Sequence, residues 1–494
     1  MVSVILKGHD FTYEVFELLR AFFVNDEVKF IDEKALVDDQ SLLIESILYK
    51  NDNYYVAETN IKKSDKLLSS SIINEAEKIV VKDFIEKKKL KTMVKMSIYE
   101  AVTEIVETKV PWGILTGVRP TKVVHELIDK GYNDEFILEI LLNNYKMFRE
   151  KAKLILDIAK LQRKYIYPIS KRDFSLYISI PFCPTRCLYC SFPSNPLDKS
   201  KDYISDYVEK LLYEINRVGE LTGNMKINTV YIGGGTPTSI PILYLEKIID
   251  RIQNVFGTSN IIEFTVEAGR PDTMTRDVLT KLKKLGIDRI SINPQTMNEN
   301  TLKLIGRKHS SEDILKAFDL AREIGFNSIN MDLIVGLPNE NVEDIIKTME
   351  FIVKLKPDNL TVHTMAIKRA SKLNESLNDF KLSKQEEIEK MIDVTKKFAY
   401  EMGMYAYYLY RQKQILGNME NVGYTLPGKE CLYNILIMEE KQTILAVGAG
   451  GVSKIFFPDE NRIERVPNVK SLYEYLNRVE EMVERKKKFI ELLT

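Results

Sequence analysis

The sequence contains very little cysteine, histidine or tryptophan. Its 494 residues include four cysteines, four histidines and one tryptophan. So few cysteines exclude a disulfide-stapled secreted protein, and they predict a reducing, cytoplasmic location. No apolar run approaches the roughly 18 residues of a membrane-spanning helix, so we expect no membrane span. The first residues lack the basic and apolar segments of a signal peptide, which agrees with a cytoplasmic protein.

The sequence also lacks a net charge. Lys and Arg together number 71, and so do Asp and Glu. No long-range field therefore favours nucleic acid or a membrane surface as a partner. A hydrophobic content of 45% with 29% charged residues predicts a globular protein with a large core. At this length we expect two or three domains.

Three of the four cysteines lie within eight positions, at Cys183, Cys187 and Cys190. A zinc ribbon needs two separated cysteine pairs, and structural disulfides need an even number of cysteines. Three thiolates on one short loop suit a [4Fe–4S] cluster that keeps one iron open for another ligand. This C-x3-C-x2-C spacing resembles that of radical S-adenosylmethionine (SAM) enzymes, in which the open iron binds SAM. We therefore interpret the three cysteines as catalytic metal ligands; the alternative is three unrelated thiols.

Strand-like and helical segments alternate regularly after about residue 171. Six strands are predicted, at Leu176–Ile180, Thr229–Ile232, Ile262–Glu267, Arg289–Asn293, Ser328–Ile334 and Leu360–Thr364. Such alternation implies parallel strands joined by right-handed crossovers. We expect an α/β fold in which residues 171–382 form a partial (β/α)6 TIM-like radical SAM barrel. The chemistry of such a barrel should lie at the carboxyl ends of its strands.

The flanking regions carry weaker signals. Residues 1–170 are predicted to form an α+β accessory domain, with a hairpin over Leu42–Ile61 and helical spacing from Ile72 to about Glu107. Residues 383–494 are predicted to form an α+β extension that covers the substrate. Short strands are expected there around Leu436 and Leu445, and the lysine run at 486–488 is expected to be a solvated helix face.

Several motifs fall at the ends of the predicted strands. Gly234, Gly235 and Thr236 follow the second strand, where glycine lets the backbone approach a ligand closely; a simple tight turn is the alternative. Glu267 ends the third strand, and its carboxylate could pair with the SAM ammonium group, although a surface glutamate would also fit.

Further polar residues follow the later strands. Gln295 lies just past the fourth strand, and Arg307 offers a planar fork for the SAM carboxylate; both could instead be solvated loop residues. Asp332 lies inside an apolar strand, which is costly unless the carboxylate is paired, either with ribose hydroxyls or in a structural salt bridge. His309 and His363 are candidate donors near the substrate or satisfied histidines.

Together these residues resemble the oxygen-independent coproporphyrinogen III oxidase family over roughly residues 172–450. Two segments, Tyr408–Lys413 and Gly417–Tyr424, resemble its subgroup called coproporphyrinogen dehydrogenase HemZ. The resemblance implies that SAM contacts come from Tyr177, Tyr189, Gly234, Gly235, Thr236, Glu267, Gln295, Arg307 and Asp332, with Ala366 touching a second SAM.

The resemblance also implies a function. It implies a [4Fe–4S] cluster, one or two molecules of SAM, and a 5′-deoxyadenosyl radical that starts the oxidative decarboxylation of coproporphyrinogen III propionates to the vinyl groups of protoporphyrinogen IX. The enzyme would be a monomer that takes electrons from a flavodoxin or ferredoxin, and an exposed cluster would suit an anaerobic host. Candidate cations for the propionates are Arg411 with Lys413, and Lys368 with Arg369.

The sequence departs from the best-characterised oxidases in two places, and its long N-terminal domain is also unlike theirs. Ser179 stands where the best-characterised oxidases have histidine, and no further cysteine occurs near 191–192. The related heme chaperones carry a His-Asn-x-x-Tyr-Trp element, but this chain has no tryptophan after Trp112. One alternative is another radical SAM enzyme, such as a methyltransferase or a heme-ring-opening enzyme. A heme-binding carrier on the same fold is a further alternative, against which the missing element argues.

Overall fold

The computed structural model describes residues 1–24, 26–33, 40–75, 86–376 and 379–493. The chain divides into two compact units, Met1–Lys160 and Leu161–Thr494. The boundary between the two units falls within the helix Arg149–Ile166. The domain limits proposed from the sequence, at 170 and 382, stay a prediction.

The N-terminal unit contains a mixed sheet in the order β2-β1-β3-β4-β5. Strand β1 runs parallel to β2 and β3, and the strands from β3 to β5 form an antiparallel meander. The strands are β1 (Val2–Lys7), β2 (Val28–Phe30), β3 (Leu42–Asn51), β4 (Tyr54–Lys63) and β5 (Lys66–Asn74). The helices are Thr12–Phe22, Glu86–Thr103, Thr121–Asp129, Asp134–Asn143 and Arg149–Ile166.

The predicted hairpin is confirmed, because Asn51 of β3 pairs with Tyr54 of β4 across the turn. The helical prediction from Ile72 onward is wrong at its start. Ile72 lies in the edge strand β5 and pairs with Glu58, since the segment alternates between exposed and buried residues rather than following a helical period. The part of that prediction over 76–85 lies outside the described residues.

The C-terminal unit is built on an eleven-stranded sheet in the order β14-β15-β13-β12-β11-β10-β9-β6-β16-β17-β18. Its six central strands are all parallel. They are β6 (Asp173–Ile180), β9 (Lys226–Gly234), β10 (Glu263–Gly269), β11 (Arg289–Ile292), β12 (Ile329–Val335) and β13 (Asn359–Thr364). They correspond one to one with the six predicted strands, so the partial (β/α)6 barrel is confirmed.

Helices connect the parallel strands, and two of these helices begin with a capping box. Asn341 and Asp344 form a reciprocal capping box before one helix, and Ser310 and Asp313 form another, which satisfies backbone N–H groups that a helix start leaves free. The crossover helices are Ile204–Thr222, Ile242–Phe256, Arg276–Lys284, Ser311–Ile324 and Val342–Leu355, with shorter ones at Leu197–Ser200, Glu299–Leu304 and Lys372–Glu375. Single turns of 3-10 helix occur at Lys201–Tyr203, Pro237–Ser239, Pro271–Thr273, Leu416–Asn418 and Pro458–Glu460.

The last hundred residues extend the barrel sheet at both edges. Strands β14 (Tyr405–Tyr410) and β15 (Asn421–Thr425) join the β13 edge in antiparallel order. Strand β16 (Thr443–Val447) joins β6 in parallel and is followed by the antiparallel strands β17 (Val452–Phe457) and β18 (Arg462–Pro467). The helices of this region are Gln385–Glu401, Leu432–Glu439 and Leu472–Ile490. None of the helices in the described part of the chain is both long and apolar enough to cross a membrane.

Two sequence predictions for this region are wrong. Leu436 lies in a helix rather than a strand. A short apolar run is compatible with both the helical and the strand period, so the sequence alone does not distinguish them. In the structure, the Glu263 carboxylate accepts hydrogen bonds from the backbone N–H groups of Leu432 and Tyr433 at the start of this helix. Lys486 is fully buried rather than solvated, because it lies on the same helix face as Met482, one turn earlier.

Candidate active site

The three clustered cysteines lie on the loop that follows β6. The loop begins at strand β7 (Phe182–Cys183), which pairs with β8 (Asn195–Pro196), so its two ends are held together. The Leu188 N–H donates to the Ile305 carbonyl at 3.0 Å, and the Leu373 N–H donates to the Leu188 carbonyl at 2.9 Å. The backbone of the cysteine loop is therefore fixed from two sides.

The three thiols are each half-buried. Burial raises the pKa of Cys183 to about 11, with a further contribution from the other two thiols, while the Thr236 hydroxyl at 3.6 Å opposes the shift. Burial also raises the pKa of Cys190. Within the described ranges, no three His, Cys, Asp or Glu side chains converge on a point that would hold one metal ion. A four-iron cube does not need such convergence, because each of the three thiolates would bind a different iron.

The glycine turn after β9 lies directly against this loop. The Gly235 N–H donates to the Ile180 carbonyl at 2.8 Å, and the Thr236 N–H donates to the Phe182 carbonyl at 2.7 Å. A Cβ atom at Gly235 would lie 2.4 Å from the Phe182 oxygen and 2.9 Å from the Cys183 sulfur. Only glycine fits there, and the turn holds the first cysteine in place.

Glu267 lies at the end of β10 beside that turn. Its carboxylate accepts a hydrogen bond from the Tyr231 hydroxyl at 2.6 Å and one from the Gly234 N–H at 3.3 Å. Burial raises the pKa of Glu267 to about 7; Asp332 adds to the shift, and the Tyr231 hydroxyl opposes it. A carboxylate in this environment favours a cationic partner over water.

Tyrosine rings line the barrel interior next to Glu267. The Tyr231 ring stacks on Tyr433 with centroids 4.4 Å apart, and Tyr177 stacks on both at 6.2 Å. Tyr177 and Tyr231 occupy matched positions of neighbouring strands. Together they present a broad aromatic surface that shields the carboxylate from solvent.

Gln295 lies just past the end of β11. Gln295 has a φ of +68° and is held by two backbone hydrogen bonds, to Asp332 and from Ile334, both at 2.9 Å. Its side-chain oxygen Oε1 is buried without a hydrogen-bond donor in the described structure. Such an unsatisfied acceptor at a strained position suggests a ligand-binding role.

The Arg307 guanidinium is buried and lies against the cysteine loop. It donates to the Asn293 carbonyl and to the Tyr189 hydroxyl, the latter at 3.4 Å. Burial by itself lowers the pKa of Arg307, but Tyr189 and the Cys187 thiol more than compensate and raise it. A permanent positive charge next to the loop suits an anionic ligand group.

Asp332 lies in β12, where its backbone carbonyl accepts the Gln295 N–H, and its carboxylate is partly paired. It accepts a hydrogen bond from Asn330 Nδ2 at 2.7 Å, and its second oxygen lies 3.7 Å from His363 Nε2. His363 Nδ1 lies 3.1 Å from the Tyr410 hydroxyl. The structure thus extends the predicted aspartate into an Asp332–His363–Tyr410 chain.

The other residues proposed from the sequence, Ala366, His309 and Arg411, have different environments. Ala366 lies just past β13, where it bridges to Ile415. His309 is buried, 3.8 Å from an Asp272 oxygen, and burial lowers its pKa. Arg411 is buried and donates to the carbonyls of Asn418 and Met419, so it holds its own loop.

Lys368 and Lys413 lie close together at the rim of the barrel. The Lys368 ammonium donates to the Lys413 carbonyl at 2.8 Å. Burial lowers the pKa of Lys368, and the charge of Lys413 lowers it further. Lys368 is partly buried and Lys413 is exposed, and two neighbouring cations favour an anionic ligand beside them.

Sequence reasoning missed Tyr231, Tyr433 and Tyr410. Tyr231 could have been found from alternation, since it precedes Gly233 by two positions and so shares its face of β9. Tyr433 and Tyr410 come from the C-terminal segment, and no local pattern indicates that they enter the barrel. Ser179, where the family has histidine, donates to the Ala449 carbonyl at 2.7 Å and so binds the loop after β16.

Comparisons with known proteins agree with this geometry. Residues 177–352 match the model of the Radical SAM superfamily. The chain is 39% identical, over 87% of its length and 88% of the relative, to the oxygen-independent coproporphyrinogen-III oxidase-like protein HemZ of Bacillus subtilis. It is 35% identical to the heme chaperone HemW of the same organism over 39% of this chain and 50% of that protein. The crystal structure of coproporphyrinogen III oxidase HemN from Escherichia coli, a radical SAM enzyme, has the same fold, with a TM-score of 0.53 and 24% identity over 66% of this chain and 73% of that one.

Proposed function

Because this chain belongs to the HemZ-like family of radical SAM proteins related to oxygen-independent coproporphyrinogen III oxidase, we propose that it oxidatively decarboxylates propionate side chains of coproporphyrinogen III. Family membership implies a [4Fe–4S] cluster and SAM. Each propionate would lose CO2, one proton and two electrons and become a vinyl group. Two such steps give protoporphyrinogen IX.

The observation that carries this proposal is the convergence of cluster ligands and ligand-binding groups at the carboxyl ends of the barrel strands. Cys183, Cys187 and Cys190 would hold the cluster, and the glycine turn that packs on Cys183 fits a cofactor close to the backbone. The cluster and SAM, when bound, supply a one-electron cleavage that leads to hydrogen abstraction from the substrate. All other contributions come from side chains of the barrel.

The polar side chains of the site match the polar groups of SAM. Glu267 would bind its ammonium group, and Arg307 its carboxylate. The free Oε1 atom of Gln295 would accept a hydrogen bond, and Asp332 would bind the ribose hydroxyls. Gln295 Oε1 and Arg307 Nε are buried without a hydrogen-bond partner in the described structure, so a ligand there would offset the cost of burying them. The remaining proposed contacts are Tyr177, Tyr189, Gly234, Gly235, Thr236 and, for a second SAM, Ala366.

The substrate would lie over the aromatic surface and extend its propionates to the rim. Tyr177 and Tyr231 supply a flat apolar face that excludes water from the reacting carbon. Lys368 and Lys413 would bind a propionate, since a carboxylate beside them favours the charged form of Lys368, whose pKa is lowered by burial and further by the charge of Lys413. Arg411 is not proposed for this role, because its guanidinium holds the 418–419 backbone.

A product assay tests the proposal. We expect the anaerobically reconstituted protein, given SAM, a reductant and coproporphyrinogen III, to release product lighter by CO2 and two hydrogens per propionate, as measured by mass spectrometry. A gain of a methyl group instead would indicate a methyltransferase.

The similarity to HemW favours a second candidate, a heme carrier on the same fold. Titration of the purified protein with heme separates the two functions. Stoichiometric, tight heme binding without SAM cleavage would replace the oxidase proposal by the carrier. Weak or absent heme binding together with SAM cleavage supports the oxidase.

SAM binding should depend on pH through Glu267. Because the pKa of the ligand-free carboxyl is raised to about 7 and the ammonium group requires the ionised form, binding below this pKa must release a proton. We expect the SAM dissociation constant to rise about tenfold per pH unit below 7 and to be flat above it. Anaerobic calorimetry from about pH 6 to pH 8 measures this. The Glu267→Gln variant should bind more weakly and lose the slope; a slope retained in that variant would contradict the assignment.

A further inference from the structure

A groove of about 730 Å³ lies along one side of the cysteine loop. Thr185 and Arg186, which lie between Cys183 and Cys187 in the sequence, form part of its wall. Of the SAM-binding residues proposed above, only Arg307 also lines this groove. The groove therefore brings the solvent next to the chain segment that would carry the cluster.

Lysines dominate the charge of this groove. Lys199, Lys303, Lys308 and Lys372 all line it and are exposed. In the described part of the chain, none of the four forms an ion pair within 4.0 Å. A concave surface lined by one sign of charge concentrates the field and attracts an oppositely charged partner.

The groove contains little opposing charge. Its two acidic residues are Asp198 and Glu299. The Glu299 carboxylate already accepts hydrogen bonds from the N–H and hydroxyl groups of Ser311, at 2.7 and 2.6 Å. A net positive surface remains, although the whole chain is neutral.

We propose that this basic groove is the docking surface for an acidic one-electron carrier protein, of the flavin or iron–sulfur class. This inference rests on the proposed function, because a cluster that cleaves SAM must be reduced repeatedly. In each encounter the carrier loses one electron and the cluster gains one; no bond forms or breaks in either protein. Approach along the groove keeps the transfer distance short and leaves the barrel interior to SAM and substrate.

Charge reversal in the groove tests the proposal. The test variant is Lys199→Glu with Lys303→Glu, neither of which is a proposed cofactor ligand. The control is Lys347→Glu with Lys390→Glu, two exposed lysines on other helices that change the net charge equally. The probe is an acidic flavodoxin, whose dissociation constant from the cluster-free protein is measured by calorimetry at low and high salt.

We expect the groove variant to bind flavodoxin about tenfold or more weakly at low salt, and to lose most of the salt dependence that the unmodified protein shows. Its SAM cleavage with dithionite, a small reductant, should stay within about twofold, whereas cleavage driven by flavodoxin should fall with the affinity. The control variant should match the unmodified protein in all three measurements.

Unchanged affinity in the groove variant, or an equal loss in the control, would overturn the docking surface. A loss of dithionite-driven cleavage in the groove variant would also overturn it, because the lysines would then act on the site itself. Failure of the unmodified protein to cleave SAM with dithionite would refute the proposed function instead. The calorimetry uses cluster-free protein, so it tests the docking surface whether or not the protein cleaves SAM.

Discussion

Replacing Cys183 by alanine should remove the iron–sulfur cluster and with it all SAM cleavage. The thiol lies against the glycine turn on a loop whose backbone is fixed by Ile305 and Leu373, so no other cysteine can move into its place. With two thiolates left, a four-iron cube loses a corner ligand. We expect iron and sulfide to fall to background after anaerobic reconstitution, together with the visible absorption of the cluster, as measured by metal analysis and spectroscopy.

Cys431 provides the matched control. It is buried on the barrel floor, where its thiol donates to the Glu263 carboxylate at 3.2 Å, and burial raises its pKa. The Cys431→Ala variant should keep full iron content and SAM cleavage. Full iron content in Cys183→Ala, or cluster loss in Cys431→Ala, would refute the ligand assignment, and thermal denaturation of both cluster-free variants shows whether the fold is intact.

The sequence was sufficient to predict the barrel and the elements that carry the site. The alternation of strands and helices is encoded in short segments of the sequence. The strands that end at Ile180, Gly234 and Gly269 were therefore predicted to within a few residues. Because the strand ends were predicted, the polar residues at their carboxyl ends were predicted as well. The geometry of parallel sheets then brings those ends together.

The contribution of the C-terminal segment could not be predicted in this way. Strand β16 pairs with β6 across more than 260 residues of sequence, and periodicity says nothing about such partners. The contacts at the amino-terminal end of the barrel strands could not be predicted either. Arg289 lies 3.3 Å from Glu263 and also donates to Asn359 and to the Lys429 and Glu430 carbonyls. These contacts anchor the segment that carries Tyr433, yet each residue by itself looks like an ordinary strand charge.

The buried lysine at the C-terminus was predicted wrongly although a signal was present. Val479, Met482 and Lys486 lie on one face of the helix Leu472–Ile490. Reading 486–488 as one charged run obscured that periodicity. A charged residue in an apolar helix stripe calls for a buried partner elsewhere in the chain, and here the partner is Glu214.

Replacing Lys486 by methionine should lower the free energy of unfolding by about 3–5 kcal/mol. Lys486 donates to Glu214 at 2.7 Å, and both side chains are completely buried. Without the lysine, the Glu214 carboxylate keeps only neutral donors, namely the Gly448 N–H, the Tyr475 hydroxyl and the Asn468 amide. The uncompensated buried charge is the cause of the loss, and urea denaturation of the cluster-free protein measures it.

Lys487→Met is the matched control, since the Lys487 side chain is 42% exposed and lies 3.9 Å from Glu491 on the helix surface. It should cost less than about 0.5 kcal/mol. The double variant Glu214→Gln/Lys486→Met should recover part of the loss, because it removes both charges. A cost below about 1 kcal/mol for Lys486→Met would contradict the buried pair. The ion pair also supports the active site. Glu214 accepts the Gly448 N–H, and two residues later a Cβ at Gly450 would lie 3.0 Å from Pro193 of the cysteine loop. The ion pair therefore helps to hold the segment against which the cysteine loop packs.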